Sequence, residues 1–290
     1  MRKKIKIAFT DFWGGFEYNP TGMTEFDNVL YRMLSEFYDI EISDRPDYLI
    51  YSVFGSSHYQ YKDCKKIFYT GENRRPNFDE CDYSLSFDYM DDERNLRFPL
   101  SAITLYEGGI KDDFEKQIDF DKIKSEKTEF CNFIFSNPNA ELRNILFSEL
   151  SKYKRVDSGG RVLNNIGYLV DDKLKFQSKY KFSIAFENSE YPGYTTEKLV
   201  HPKLVDSIPI YWGNPLVHKD WNTKSFINAY EFTNLNELID FVKEVDNNDD
   251  LYYKMLTEPP LNKESKDINW KNMINFFEKI IISNEFKVIS

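Results

Sequence analysis

The segment FENSEYPGYTTEKL, from Phe186 to Leu199, follows a hydrophobic run and leads into a predicted helix. Its first residues end the apolar run, and Pro192 with Gly193 predicts a turn. Two threonines, either of which can cap a helix, then precede the adjacent pair Glu197 and Lys198. A strand, a turn and a capped helix in this order are typical of one unit of a parallel α/β sheet.

The same alternation of short apolar strands and amphipathic helices occurs in two runs along the 290 residues. We interpret the acidic stretch between them, from about residue 88 to about residue 129, as less regular. The pattern predicts an α/β fold of two Rossmann-like domains, residues 1–124 and 125–290, that face each other across a cleft. We expect the last helix to pack back on the N-terminal domain. In the second run, AELRNILFSEL predicts a helix whose buried face carries Leu142, Ile145, Leu146 and Leu150.

Composition limits the classes of partner. The chain has 48 acidic and 38 basic residues, so we expect no nucleic-acid contact, and any anion must bind in a local basic pocket. The three cysteines share no metal-ligand spacing, which favours free thiols in a reducing compartment. No apolar run approaches the roughly 20 residues that span a bilayer. We therefore expect a cytoplasmic protein without a transmembrane segment, and we leave open its oligomeric state and a peripheral association with the inner face of the membrane.

Three predicted strands end in clusters of polar residues. These are TGEN at residues 70–73, SNPN at residues 136–139, and the segment that follows Phe186. Ligands of open parallel sheets bind at the carboxyl ends of the strands. Ser136, Asn137 and Asn188 are therefore candidate ligand-binding residues, although Asn188 fits equally a residue that only closes a turn.

Two cations lie near the starts of the helices that follow these clusters. Arg143 comes after SNPN, and Lys198 comes after the opening segment. A cation is unfavourable beside the positive end of a helix dipole unless an anion bridges the two, as in a phosphate or diphosphate site. Either residue alone fits a solvated surface cation. Their equivalent positions in successive units favour a site that neutralises a leaving diphosphate without a metal.

Two acids are candidates for catalysis. Glu72, in TGEN, fits either a general base or a loop acid paired with Arg74 or Arg75. Glu197 fits either a catalytic carboxylate or an acid that stabilises a helix start. From residue types and spacing alone, the sequence predicts an anion-binding α/β protein, with a transferase as one interpretation.

Four segments in collinear order resemble a known family. FENSEYPGYTTEKL followed by IPIYWGNP is similar to the motif of the GDP-fucose-dependent α-1,3/4-fucosyltransferases, glycosyltransferase family 10. That motif reads approximately FEN, a short gap, YVTEK, a helix, and a V/I-P-I/V strand that ends in G-x-P. The segments FYTGENRRPNFDECDYSLSFD, SNPNAELRN and VDSGGRVLNNIGY resemble bacterial members. The similarity covers approximately residues 66–215.

The resemblance implies a two-domain fold of the GT-B type, with GDP-fucose bound by the C-terminal domain and the acceptor bound mainly by the N-terminal domain. It implies that Glu72 is the general base and that Arg143 and Lys198 hold the diphosphate. Glu197 matches an acid near the sugar of the donor, where it could also stabilise oxocarbenium-like charge. The donor-binding residues by this match are Ser136, Asn137, Arg143, Asn188, Tyr194, Glu197 and Lys198.

The implied reaction is an inverting transfer of fucose from GDP-β-L-fucose to the GlcNAc or glucose of a lactosamine- or lactose-type acceptor, as in the synthesis of Lewis-antigen-like glycans. The acceptor would be an oligosaccharide or a glycolipid. No cofactor is required by this resemblance, and stimulation by a divalent metal stays open. The alternatives are a non-catalytic relative that binds the nucleotide sugar and an enzyme that uses another GDP-linked deoxysugar.

Some features depart from the family motif or suggest another class. Thr195 replaces the usual Val, and Pro192 stiffens the turn. The heptad repeats and basic tail of some bacterial relatives are absent from this sequence. Asp119 and Asp121 form the Asp-x-Asp pair of a metal-dependent transferase, but no strand is predicted before them, so we expect a solvated face and no metal site.

Overall fold

The computed structural model describes residues 2–13, 28–109, 118–262 and 268–288. The chain forms two compact units, one of Met1–Glu107 with Asp267–Ser290 and one of Gly108–Lys266. The two units share one design, a parallel sheet with helices.

The first unit contains a six-stranded parallel sheet in the order β2-β1-β3-β4-β5-β6. Its strands are β1 Lys3–Thr10, β2 Tyr38–Ile42, β3 Tyr48–Tyr51, β4 Lys65–Tyr69, β5 Tyr83–Ser86 and β6 Asn95–Arg97. Its helices are α1 Val29–Ser35, α2 Leu100–Glu107 and α9 Trp270–Val288.

Helix α9 packs on the sheet of the first unit. Phe277 contacts the rings of Tyr38 and Tyr48, with centroids 6.2 and 5.6 Å away, and Phe276 contacts Tyr83 at 6.0 Å. The apolar side chains of this helix therefore complete the core of a unit whose other residues are at the opposite end of the sequence. Within the described part of the chain, none of the helices has the length and apolar character needed to cross a membrane.

The second unit contains a five-stranded parallel sheet in the order β11-β10-β9-β7-β8. Its strands are β7 Glu129–Phe133, β8 Val156–Ser158, β9 Tyr180–Phe186, β10 Ile208–Trp212 and β11 Ile227–Asn228. Its helices are α3 Phe120–Glu126, α4 Glu141–Ser151, α5 Lys173–Gln177, α6 Glu197–Leu204, α7 Leu235–Asn247 and α8 Asp249–Thr257. Six of the seven residues of β9 are apolar or small and buried, as expected for a strand covered on both faces.

The predicted buried face of α4 was wrong in its register. Leu142 and Ile145 are 52% and 39% exposed, whereas Arg143 and Leu146 are buried. The buried positions follow the helical spacing i, i+3, i+4 and i+7 from the arginine, and they include Phe147 and Leu150. The prediction placed apolar residues inside by type, but a charged side chain takes a position on the inner face.

The acidic stretch between the two runs is more regular than we interpreted it to be. It contains the strand β6 and the helices α2 and α3. Asp119 caps α3, because its side chain accepts a hydrogen bond from the backbone N–H of Lys122 at 3.1 Å. These elements have three to eight residues, which is too short for a periodic pattern to stand out in a charged sequence.

The register of α4 predicts unequal costs for two leucine substitutions on one helix. Leu146→Ala should lower the free energy of unfolding by about 2–5 kcal/mol, because it leaves a cavity in a packed core. Leu142→Ala, the matched control, should change it by less than about 0.5 kcal/mol. Urea-induced unfolding measures both, and equal losses would contradict this register.

Candidate active site

The candidate site lies where the strand order of the second sheet changes direction. The chain forms β7, adds β8 on one side, and then returns to add β9 on the other side of β7. Loops that leave the carboxyl ends of β7 and β9 therefore diverge and leave a crevice between them, the usual ligand position in such sheets. These are the loops that carry SNPN and the segment after Phe186.

Arg143, on α4, connects these two loops through hydrogen bonds. Its guanidinium donates to the backbone carbonyl of Asn137 at 2.7 Å, and to the carbonyl of Phe186 and the side-chain oxygen of Asn188 at 3.3 and 3.0 Å. The group also lies 3.7 Å from the ring centroid of Phe135. Only 1% of the residue is exposed, and among the described residues no carboxylate forms an ion pair with it.

Because Arg143 is buried and has no paired acid among the described residues, its pKa is lowered. Desolvation lowers the pKa of Arg143 to about 10, and the charge of Glu187 opposes this shift only in part. The Nε of the guanidinium is buried and has no hydrogen-bond partner among the described residues. The charge of Arg143 is therefore incompletely compensated by the protein, which favours the binding of an anion in this crevice.

Lys198 is held by a buried carboxylate that we did not single out from the sequence. The side chain of Glu187 is fully buried directly after β9, and its Oε2 lies 3.2 Å from the Lys198 Nζ. Thr196 donates its backbone N–H to Glu187 at 2.8 Å and lies with its hydroxyl 2.8 Å from the other carboxylate oxygen. The hydroxyl of Thr196 also accepts from the Lys198 Nζ at 3.0 Å and caps α6. One buried acid thus fixes both the start of the helix and its lysine.

Glu197 and Lys173 lie on the outer side of this pair. The Oε1 of Glu197 is 3.4 Å from the Nζ of Lys198 and 3.8 Å from the Nζ of Lys173. The side chains of Glu197 and Lys173 are 28% and 29% exposed, against 12% for Lys198. Burial raises the pKa of Glu197, but the two lysines outweigh it and hold the pKa well below its ordinary value.

Burial and the neighbouring charges determine the protonation states of Lys198 and His201. Burial lowers the pKa of Lys198, but Glu187 and Glu197 reverse this effect and raise the pKa well above its ordinary value. Burial lowers the pKa of His201 to about 4, and the charge of Lys173 contributes to the same shift. Lys198 is therefore an ammonium at neutral pH, and His201 is a neutral imidazole.

The turn before α6 is held by Asn214. The Oδ1 of Asn214 accepts the backbone N–H of Gly193 at 2.7 Å, and its Nδ2 donates to the hydroxyl of Thr195 at 3.0 Å. Gly193 has a φ of 88°, a conformation that favours glycine. Tyr194 follows and is 2% exposed. Thr196 is the cap, and Thr195 instead ties the turn to Asn214.

The other predicted donor-binding residues lie at the same edge of the sheet. Asn188 is half-buried and contacts Arg143, as above. Asn137 is exposed, and its Oδ1 accepts the backbone N–H of Asn139 at 3.0 Å. Ser136 is exposed, and its side chain makes no hydrogen bond within the described residues. The seven predicted residues therefore lie on the loops and helix starts that follow β7 and β9; Arg143 contacts Asn137 and Asn188, and Lys198 contacts Glu197.

Glu72 is in the first unit, after the carboxyl end of β4. Its backbone N–H bonds to the hydroxyl of the buried Thr70 at 3.1 Å, and its carbonyl accepts the N–H of Arg74 at 2.7 Å. The side chain is exposed, and in the described parts of the chain it forms no ion pair. Arg75 bonds to Asn73 at 3.0 Å and lies 3.8 Å from Asp88, and the described residues show no ion pair of Glu72 with Arg74 or Arg75. The carboxylate of Glu72 is thus open to solvent and to a substrate.

Three further residues belong to the site, and sequence reasoning missed them. Glu187 stands in the quoted segment directly after β9, and no feature of its local sequence distinguishes a buried acid from a loop acid. Lys173 and His201 come from other elements, α5 and the middle of α6. Within residues 2–13, 28–109, 118–262 and 268–288, no group of three or more His, Cys, Asp or Glu side chains is arranged to hold a metal.

Comparison with known proteins identifies the family. The family model described as "Alpha-(1,3)-fucosyltransferase FucT N-terminal domain" matches residues 7–106. The family model described as "Glycosyltransferase family 10 (fucosyltransferase) C-term" matches residues 124–267. The chain belongs to glycosyltransferase family 10. The resemblance found in the sequence motifs is thereby confirmed.

Curated relatives in this family match over different lengths. The chain is 34% identical to the α-(1,3)-fucosyltransferase FucT of Helicobacter pylori over 96% of its own length. It is 36% identical to the α-(1,3)-fucosyltransferase B of Drosophila melanogaster over 44% of its length. The chain spans 66% of the Helicobacter relative and 31% of the Drosophila one.

Solved structures of family members share the fold. A crystal structure of an α1,3-fucosyltransferase has a TM-score of 0.80 at 33% identity and covers 96% of this chain and 90% of its own. A structure described as an α1,3-fucosyltransferase with GDP-fucose has a TM-score of 0.78 at 32% identity, over 97% of this chain and 91% of its own. The predicted GT-B type of α/β fold is confirmed.

The ion pair of Glu187 and Lys198 predicts a large loss of stability when Glu187 is replaced by a neutral residue. Glu187→Gln should lower the free energy of unfolding by about 3–5 kcal/mol, because it leaves the largely buried Lys198 ammonium without its fully buried partner. The matched control is Glu149→Gln, which removes an acid from an exposed ion pair with Lys152 and should cost less than about 1 kcal/mol. Urea-induced unfolding measures both, and a small loss for Glu187→Gln would show that this carboxylate does not hold the cluster.

His201 predicts a contribution to acid sensitivity. Its pKa is about 4 in the folded chain against an ordinary 6.5, so the unfolded state takes up a proton first as the pH falls. The free energy of unfolding should therefore decrease from about pH 6.5 to about pH 4, and His201→Gln should remove this part of the slope. Urea-induced unfolding at several pH values measures it. Parallel curves for the variant and the parent chain would contradict the assignment.

Proposed function

We propose that this chain is an inverting α-1,3-fucosyltransferase that uses GDP-β-L-fucose as its donor. The observation that carries the proposal is a pair of cations at the switch point of the second sheet, the buried Arg143 and the largely buried Lys198. Membership of family 10 gives the donor class, because the relatives are described as fucosyltransferases and one solved relative is described with GDP-fucose.

On the donor side, we assign the diphosphate to Arg143 and Lys198. Arginine offers a fork of donors and lysine a point charge, and both act in a largely desolvated crevice where their charges are poorly screened. As GDP leaves, negative charge grows on its diphosphate, so fixed cations stabilise the transition state more than the ground state. Asn188, Tyr194, Ser136 and Asn137 are assigned to the rest of the donor.

Glu197 is assigned to the sugar of the donor. Its low pKa keeps it a carboxylate, and its side chain is the more exposed of the two acids in the cluster. A carboxylate beside the fucose ring would stabilise oxocarbenium-like charge at the anomeric carbon. Glu187, which is fully buried, is assigned the different task of positioning Lys198.

On the acceptor side, we assign the general base to Glu72. The acceptor oxygen forms a bond to the anomeric carbon while the bond from that carbon to the phosphate oxygen breaks. The hydroxyl proton passes to the carboxylate of Glu72, and the bonding electrons leave with GDP. Attack opposite to the leaving group converts the β-linked donor into an α-fucoside. The exposed carboxylate of Glu72 and its lack of an ion pair among the described residues support this role.

We further propose an acceptor that contains lactosamine or lactose, as an oligosaccharide or a glycolipid, bound by residues of the first unit. We also propose a cytoplasmic location and leave open a peripheral association with the inner face of the membrane. Cys64, Cys81 and Cys131 are free thiols, which fits a reducing compartment.

The assignment predicts that Glu72→Gln and Lys198→Ala each lower kcat by at least about a hundredfold, as expected for a lost base and a lost electrostatic stabiliser. GDP release from GDP-fucose with N-acetyllactosamine measures the rate. The affinity for GDP-fucose should fall mainly in the lysine variant.

The matched controls are Glu93→Gln, an exposed acid of the same unit as Glu72, and Lys243→Ala, an exposed lysine in an i,i+3 ion pair. Both should keep kcat within about twofold. Near-normal turnover in Glu72→Gln would remove that residue from the catalytic role. Donor binding without any GDP release by the parent chain would support a non-catalytic relative instead.

A further inference from the structure

A buried acid–base pair lies at the switch point of the first sheet. Asp11 follows β1, is 4% exposed and adopts a φ of 60°, which Asp tolerates better than most residues. Its carboxylate accepts the backbone N–H groups of Ser57 and His58, each at 2.9 Å, and the Nδ1–H of His58 at 2.5 Å. Burial raises the pKa of Asp11, but these donors outweigh it and hold the pKa below its ordinary value.

This pair fixes the loop of residues 52–60, which follows β3. Phe54 donates its backbone N–H to the carbonyl of Asp11 at 2.9 Å, and the ring of His58 stacks on Tyr51 with centroids 4.2 Å apart. Gly55 lies so close to the carboxylate that an added Cβ would be 2.4 Å from the Asp11 Oδ1. The loop is therefore attached to β1 through main chain, side chain and close packing.

This well-anchored loop presents an aromatic ring to solvent. Phe54 is 49% exposed, and Val53 beside it is 37% exposed. The ring of Phe54 meets Trp13 edge to face, with centroids 5.9 Å apart. A loop that is anchored in this way and carries a half-exposed phenyl ring at the carboxyl edge of a sheet is a candidate binding surface, because scaffold-held loops often carry binding residues.

The ring lies at the same sheet edge as Glu72. Strands β3 and β4 are parallel neighbours, with Tyr51 paired with Phe68, so the loops that follow them leave the sheet side by side. Phe54 comes three residues after the end of β3, and Glu72 comes three residues after the end of β4. A sugar bound against the first loop would lie near the exposed carboxylate on the second.

We propose that Phe54, held in place by the Asp11–His58 pair, stacks on a pyranose ring of the acceptor and thereby presents the acceptor hydroxyl to Glu72. The proposal rests on the proposed function and adds an acceptor-binding residue and its positioning pair. Aromatic rings suit the apolar face of a sugar, which carries C–H groups and few polar atoms. A neutral ring also suits an uncharged saccharide in a protein whose net charge is −10.

The test compares Phe54→Leu with Phe54→Trp. Leucine keeps apolar bulk against Trp13 but removes the flat face, so the KM for N-acetyllactosamine should rise by about fivefold or more. Tryptophan keeps the face and should stay within about twofold of the parent chain. The KM for GDP-fucose and the slow hydrolysis of GDP-fucose without acceptor should be unchanged in both variants.

The matched control is Phe37→Leu. Phe37 is 44% exposed in the same unit, but it precedes β2 and so lies at the amino edge of the sheet. Its substitution should leave the acceptor KM unchanged. Asp11→Asn, which weakens the loop attachment, should raise the acceptor KM and leave donor hydrolysis intact, a split that general loss of stability would not produce.

Three results would overturn the proposal. These are an unchanged acceptor KM in Phe54→Leu, an equal rise in Phe37→Leu, and a change of oligomeric state in Phe54→Leu in place of a change in KM. Absence of fucose transfer by the parent chain would overturn the proposed function instead. In that case, saturation-transfer NMR of N-acetyllactosamine with the parent chain and Phe54→Leu still decides the sugar contact, because it needs no turnover.

Discussion

The candidate donor site depends on one buried carboxylate. Glu187 accepts hydrogen bonds from Thr196 and pairs with Lys198, so it joins the end of β9 to the start of α6. Gly213, which follows β10, packs against the side chain of Glu187, since an added Cβ would lie 2.3 Å from the Cγ of Glu187. The Lys198 side chain, which is 12% exposed, is thereby kept charged and held in one orientation. Such a fixed cation can stabilise a leaving diphosphate without reorganising during the reaction.

The two units share one structural feature, a buried acid at the point where the strand order of the parallel sheet changes direction. In the second unit, Glu187 orients Lys198, and Arg143 is buried without a carboxylate partner among the described residues; these are the two cations of the proposed diphosphate site. In the first unit, Asp11 orients a loop through His58, and that loop carries the exposed Phe54 of the proposed acceptor contact.

Much of the fold and part of the site could be predicted from the sequence. Alternating apolar strands and helices indicated parallel sheets, and polar strand ends indicated Arg143, Lys198 and Glu197. The role of Glu187 was not readable, because whether an acid after a strand turns inward depends on the partners that tertiary packing supplies. The face of α4 was misread for the same reason, since residue type favoured Leu142 for a buried position that Arg143 occupies. Whether a charged side chain is buried depends on the partners that surround it in the fold, and these partners lie far from it in the sequence.

The most direct test of the central claim is the difference in affinity between GDP and guanosine, measured by isothermal titration calorimetry on the parent chain. The two ligands share the base and the ribose, so the difference isolates the diphosphate. If Arg143 and Lys198 form a diphosphate site, GDP should bind at least about a hundredfold more tightly than guanosine, because charge-assisted hydrogen bonds to both cations add about 3 kcal/mol or more. Equal affinities for GDP and guanosine would contradict the account.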